Sequence, residues 1–139
     1  MKIKLTKEFS FEMAHALTKY DGACRNIHGH SYKLYVTISG KPNQDKNSPK
    51  YGMIIDFTDL KRIVNETVID KFDHALVLSE DNCFGSIENT KLIPVPFQPT
   101  CENLLIHFSE LILPCLPTGV TLEKLRMYET ATSFAEIEF

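Results

Sequence analysis

No stretch of the 139-residue chain approaches the roughly 20 consecutive apolar residues that a bilayer-spanning helix needs, because charge or proline interrupts the longest apolar pieces. No membrane span is therefore expected. Nor is there an excess of one charge: 15 Lys plus Arg stand against 18 Asp plus Glu, a formal net charge of -3 with no basic or acidic tail. That excludes the broad basic footprint of a generic nucleic-acid binder, so no nucleic-acid partner is expected. The cysteines Cys24, Cys83, Cys101 and Cys115 show no CxxC spacing, and in a reducing compartment they are expected as thiols. Repeats and low-complexity segments are lacking too. The start, MKIKLTKEFSF, alternates charged and apolar residues, unlike the apolar core of a signal peptide or a transit peptide, and points to a cytoplasmic protein.

What is present is the composition of one ordinary globular domain over residues 1–139, with 43% hydrophobic and 24% charged residues. A chain of this size buries about two thirds of its unfolded surface and needs no metal merely to fold. Ile3, Leu5, Phe9, Phe11, Met13 and His15 recur at the period of a half-buried strand, and His28, His30, Tyr32, Leu34, Val36 and Ile38 do so again. Asp56 reads as the N-cap of an amphipathic helix carrying Phe57, Leu60, Val64, Val68 and Phe72. A second helix is expected after Pro99, capped by Thr100, with Leu104, Leu105, Phe108, Leu111 and Ile112 inward and a stop at Pro114. Two last strands, around Leu125–Glu129 and Ala135–Phe139, flank a TATS turn. The order ββααββ predicts an α+β fold: a four-stranded antiparallel sheet with both helices on one face. Its two open edges invite partner subunits.

Three histidines, His15, His28 and His30, fall on the apolar faces of adjoining strands. Residues i and i+2 of a strand point the same way about 7 Å apart, so His28 and His30 can converge while a hairpin partner brings His15 opposite. Three imidazoles suit zinc and leave one tetrahedral position open; hydrogen-bonded core histidines are the plainer alternative. Cys24, four residues before His28, is read from spacing either as a fourth metal ligand or as a thiolate base beside the metal. The adjacent Asp73 and His74 either close a helix or form a proton relay. Glu129 lies on the apolar side of its strand, where a carboxylate needs a partner unless the strand end is exposed. The two parallel donors of a pterin or guanine edge are one such partner.

Taken together, FSFEMAH, CRNIHGH, GMIIDFTDLK, FDHALVL, PTCENLL and YETATS resemble the successive motifs of the 6-pyruvoyl-tetrahydropterin synthase and 6-carboxy-tetrahydropterin synthase family, over nearly the whole chain. The resemblance implies the tunnelling fold, in which sheets join into a barrel as trimers and two trimers stack into a homohexamer with active sites at subunit boundaries. It implies zinc on His15, His28 and His30, and Cys24 as the proton acceptor. Asp73 and His74 would form the catalytic relay. Glu129 would anchor the pterin and be grouped with that relay, and Thr100 would help to hold the ring. The implied substrate is 7,8-dihydroneopterin triphosphate, with Lys19 and Arg25 as cations flanking the site in sequence. Three residues between Cys24 and His28 resemble the carboxy-forming branch of 7-deazaguanine (queuosine) synthesis, which releases acetaldehyde. The pyruvoyl-forming synthase and a pterin- or zinc-binding protein without turnover are the alternatives.

Overall fold

Alternation decides how the first two strands lie. In the computed structural model, which describes residues 1–22 and 25–139, β1 (Ile3–His15) and β2 (His28–Gly40) run antiparallel from the pair Ile3–Gly40 to the pair His15–His28. Phe9, Phe11 and Met13 of β1 and Tyr32, Leu34, Val36 and Ile38 of β2 are buried on one face. The other face is polar: the Ser31 hydroxyl donates to Glu12 at 2.7 Å and the Tyr35 hydroxyl to Glu8 at 3.0 Å.

Two more strands extend the sheet on each side of this pair. On the β2 side, β5 (Thr121–Thr130) runs antiparallel to β2 and turns through Ala131 and Thr132 into β6 (Ser133–Glu138), as the sequence predicts. On the β1 side lie β3 (Ala75–Ser79) and β4 (Leu92–Val95), each parallel to its inner neighbour. The result is a mixed, curled sheet of six strands in the order β4-β3-β1-β2-β5-β6. This corrects the expected four-stranded antiparallel sheet and its ββααββ order. The physical reason is burial on both sides. Ala75 and Val77 of β3 join the main core while Leu76 and Leu78 meet Ala16 on the reverse face, so ALVLS carries no alternation to read. β4 is short and contains Pro94, which an edge strand tolerates and which hides it in sequence.

Both helices pack on the face that carries Phe11 and Leu34, as expected. The Asp56 carboxylate accepts the Thr58 N–H at 2.9 Å and starts α1 (Phe57–Val64). The rod continues through a π-helical segment (Asn65–Ile69) into a last turn, α2 (Asp70–Phe72). That segment reconciles the sequence spacing with burial. Leu60, Val64, Val68 and Phe72 stand four apart, and at 3.6 residues per turn such a row drifts by about 40° at each step. One wider turn takes up the drift and leaves all four at most 2% exposed. The Thr100 hydroxyl accepts the Asn103 N–H at 3.2 Å and caps α3 (Cys101–Ile112), which tightens into a 3-10 turn (Leu113–Cys115) at Pro114. Among the described residues, no helix is long and apolar enough to cross a membrane.

Phe108 of α3 is fully buried and meets Phe11 of β1 and Phe72 of α2 edge-on, at ring distances of 6.1 and 4.9 Å. Phe108→Ala is expected to cost roughly 3 to 5 kcal/mol by leaving a cavity where both helices meet the sheet. Urea unfolding measures that loss as a lower midpoint at unchanged slope.

Candidate metal centre

Strand register brings the three histidines together. His15 and His28 are a direct cross-strand pair, and His30 lies two residues along β2 on the same face. The His15–His28 and His28–His30 ring centres are 4.6 and 5.0 Å apart. Glu129 arrives from β5 at a bulge, where Tyr128 pairs with Phe134 and Thr130 with Ser133 but Glu129 itself has no β6 partner. Such irregularities re-aim a side chain. Ligand atoms of His15, His28, His30 and Glu129 all lie within 4.8 Å of one another.

Hydrogen bonds outside this centre fix what it presents inside. His15 Nδ1 lies 2.7 Å from the Pro99 carbonyl oxygen, and His28 Nδ1 lies 2.7 Å from that of Asn26. A carbonyl only accepts, so each Nδ1 carries the hydrogen and each neutral ring turns its Nε2 lone pair inward. The two Nε2 atoms are nevertheless 3.1 Å apart. Glu129 Oε1, another acceptor, is 3.3 Å from His15 Nε2 and 3.1 Å from His30 Nε2. His30 Nε2 is buried and makes no aligned hydrogen bond. Inward lone pairs at these distances repel one another unless a positive charge lies among them. Imidazole nitrogens with a carboxylate are the donor set of a transition-metal ion, so these residues fit a metal cation.

The electrostatics agree. Burial, reinforced by the His15 and His28 rings, lowers the proton affinity of His30 against the pull of Glu129. Where protons rather than a metal ion occupy the inward nitrogens, a hydrogen bond from His15, followed by the charges of the protonated rings, holds the Glu129 carboxyl below its usual range against burial. His15 is only 1% exposed, so this corner of the centre is dry. Tyr32, on the same face beyond His30, has a buried hydroxyl with no partner, and burial pushes its pKa up. Burial likewise pushes the Cys101 thiol up to about 11, so it is no ready proton acceptor.

The other site residues expected from sequence are dispersed. Asp73 and His74 do meet, with Asp73 Oδ1 3.0 Å from His74 Nδ1. A hydrogen bond from the Glu12 backbone N–H, aided by His74 and Lys91, holds the Asp73 carboxyl below its usual range. His74 lines a cleft with Glu12, Ala14, Gly29 and Ser31, and also with His30 of the histidine centre. Among the described residues the metal-holding group is His15, His28, His30 and Glu129, without Asp73 or His74. Thr100 caps α3 next to the Pro99 carbonyl that holds His15. Lys19 pairs with Asp81 at 3.0 Å, while Arg25 is exposed. Cys24 lies outside the described residues. Sequence reasoning missed the Pro99 and Asn26 carbonyls, which carry no side-chain signal, and it missed that Glu129 reaches the histidines. The position of Glu129 on the histidine face was its only hint.

A family model described as 6-pyruvoyl tetrahydropterin synthase matches residues 4–138 of this chain. A 6-carboxy-5,6,7,8-tetrahydropterin synthase of Haemophilus influenzae is 40% identical across 97% of this chain and 98% of that protein. One of Rickettsia felis is 30% identical across 97% and 99%. Among solved structures, a 6-pyruvoyltetrahydropterin synthase of Plasmodium vivax aligns with a TM-score of 0.74 at 23% identity, covering 100% of this chain and 98% of that one, which shows a shared fold.

If the inward lone pairs hold a cation, the protein carries one divalent metal ion per chain, measured by inductively coupled plasma mass spectrometry. His28→Ala is expected to lower that content at least tenfold while the far-ultraviolet circular dichroism stays unchanged.

Proposed function

Because the chain belongs to the 6-pyruvoyl tetrahydropterin synthase family, we propose that it is a zinc-dependent 6-carboxy-5,6,7,8-tetrahydropterin synthase. It converts 7,8-dihydroneopterin triphosphate with release of triphosphate and acetaldehyde, in 7-deazaguanine (queuosine) biosynthesis. The observation that carries this reading is the inward convergence of three imidazole Nε2 atoms with two tautomers pinned by backbone carbonyls. It stands in a chain that matches carboxy-forming relatives over nearly its full length.

His15, His28 and His30 would hold the zinc. When bound there, it supplies Lewis acidity that makes side-chain protons of the substrate easier to remove. Cys24 takes the proton as a thiolate, and His74, oriented by Asp73, returns one. Glu129 fixes the pterin through two parallel hydrogen bonds from the N3–H and 2-amino group, with Thr100 beside it. Its carboxylate lies close enough to the imidazoles to serve as a ligand instead. A fourth protein ligand would close the position that the chemistry needs, which favours the ring-anchoring role.

In this reading the Asp73–His74 relay works between copies of the chain, in a homohexamer built as a dimer of trimers. β4 and β6 leave the two sheet edges for neighbours, and Phe134 on β6 is 49% exposed. Residues 1–139 act as one tunnelling-fold domain in this reading, and the described cysteines, all free, accord with the reducing cytoplasm.

Incubation with 7,8-dihydroneopterin triphosphate tests the assignment: acetaldehyde and a carboxylated pterin are expected. A pyruvoyl pterin would select the pyruvoyl-forming reaction, and absence of both products would leave a binding protein. Cys24→Ala should lower turnover by about 100-fold or more with metal content intact. Loss of metal in that variant would make Cys24 a ligand. Glu129→Ala should weaken pterin binding by roughly 10- to 100-fold with the metal retained, followed by ligand titration.

A further inference from the structure

The turn that carries Asp73 and His74 is tied down by a side chain from a different segment. We propose that Lys91 is a positioning residue for the His74 imidazole, an inference that rests on Asp73 and His74 being the proton relay. His74 has a φ of 60°, in the left-handed region that a β-carbon disfavours. Such a backbone persists where its surroundings over-determine it.

The peptide plane between Asp73 and His74 is fixed at both edges. Its N–H, that of His74, donates to the Glu12 carbonyl at 2.6 Å. Its C=O, that of Asp73, accepts from Lys91 Nζ at 3.0 Å. Rotating the plane towards an ordinary φ breaks both bonds. The same ammonium donates to the Asp70 carbonyl at 2.7 Å, so it also serves the end of the helical rod, where a cation is favoured by the helix dipole. Lys91 is placed in turn by its own backbone, whose carbonyl accepts the Leu76 N–H at 2.9 Å beside β3. The remaining contacts of the turn, Asp73 N–H to Ile69 O at 2.8 Å and Glu12 N–H to Asp73 Oδ1 at 2.9 Å, hold its amide and carboxylate but not that carbonyl.

Lys91 therefore acts on the orientation of His74, and it is not one of the residues of the histidine centre. Its loss should lower kcat while leaving substrate and metal binding alone. Lys91→Met and Lys91→Arg are compared with the unaltered enzyme, with Asp73→Asn and His74→Ala alongside. The readouts are kcat and KM for 7,8-dihydroneopterin triphosphate, metal content, and the thermal midpoint. Lys91→Met is expected to reduce kcat about five- to tenfold, with KM within about twofold and full metal content, and Lys91→Arg to restore most of it. Unchanged kcat in Lys91→Met, while Asp73→Asn and His74→Ala are crippled, overturns the role of Lys91 alone. A loss of kcat that merely tracks lost folded or metal-loaded protein, without recovery by arginine, also overturns it. Full turnover in Asp73→Asn and His74→Ala removes the relay reading, and the inference with it.

Discussion

The structure depends on two backbone carbonyls, those of Pro99 and Asn26, which hold the outer nitrogens of His15 and His28 and so turn their inner lone pairs towards each other. A protein interior tolerates that arrangement only with a positive charge at the meeting point. The donors of those bonds come from β1 and β2, whereas one acceptor precedes α3 and the other precedes β2. Sheet, helix start and loop thus agree on one point in space, and the affinity for a cation is built before any cation binds.

The sheet separates two kinds of chemistry. One face gives a dry core that ends in the imidazoles and Glu129; the other carries hydroxyls, charges and the Asp73–His74 turn. His30 belongs to the histidine centre and also lines the cleft of His74, so the two meet near the start of β2.

The sequence made much of this legible, and where it failed the reasons are physical. Period-two alternation put His15, His28 and His30 on one face because a strand permits nothing else, and Asp56 and Thr100 were readable as caps because their oxygens answer unpaired helix N–H groups. β3 was invisible because Leu76 and Leu78 are buried as fully as Val77, which erases the period. The π segment was latent in the fourfold spacing of Leu60, Val64, Val68 and Phe72, but spacing alone does not say whether a helix drifts or widens. The left-handed backbone of His74 and the carbonyl partners of His15, His28 and Lys91 leave no mark on residue type.

The unbroken register of β1 with β2 has an evolutionary corollary. Because every position from Ile3 to His15 has a fixed partner, a single inserted residue in either strand would turn the imidazoles outwards and destroy the centre at once. The connection from Ala16 to Ile27 obeys no such parity: its length can change by odd or even numbers of residues, provided that Asn26 stays in place to hold His28. Cys24 lies on that connection. A change of length on that connection therefore leaves the register of the imidazoles as it is.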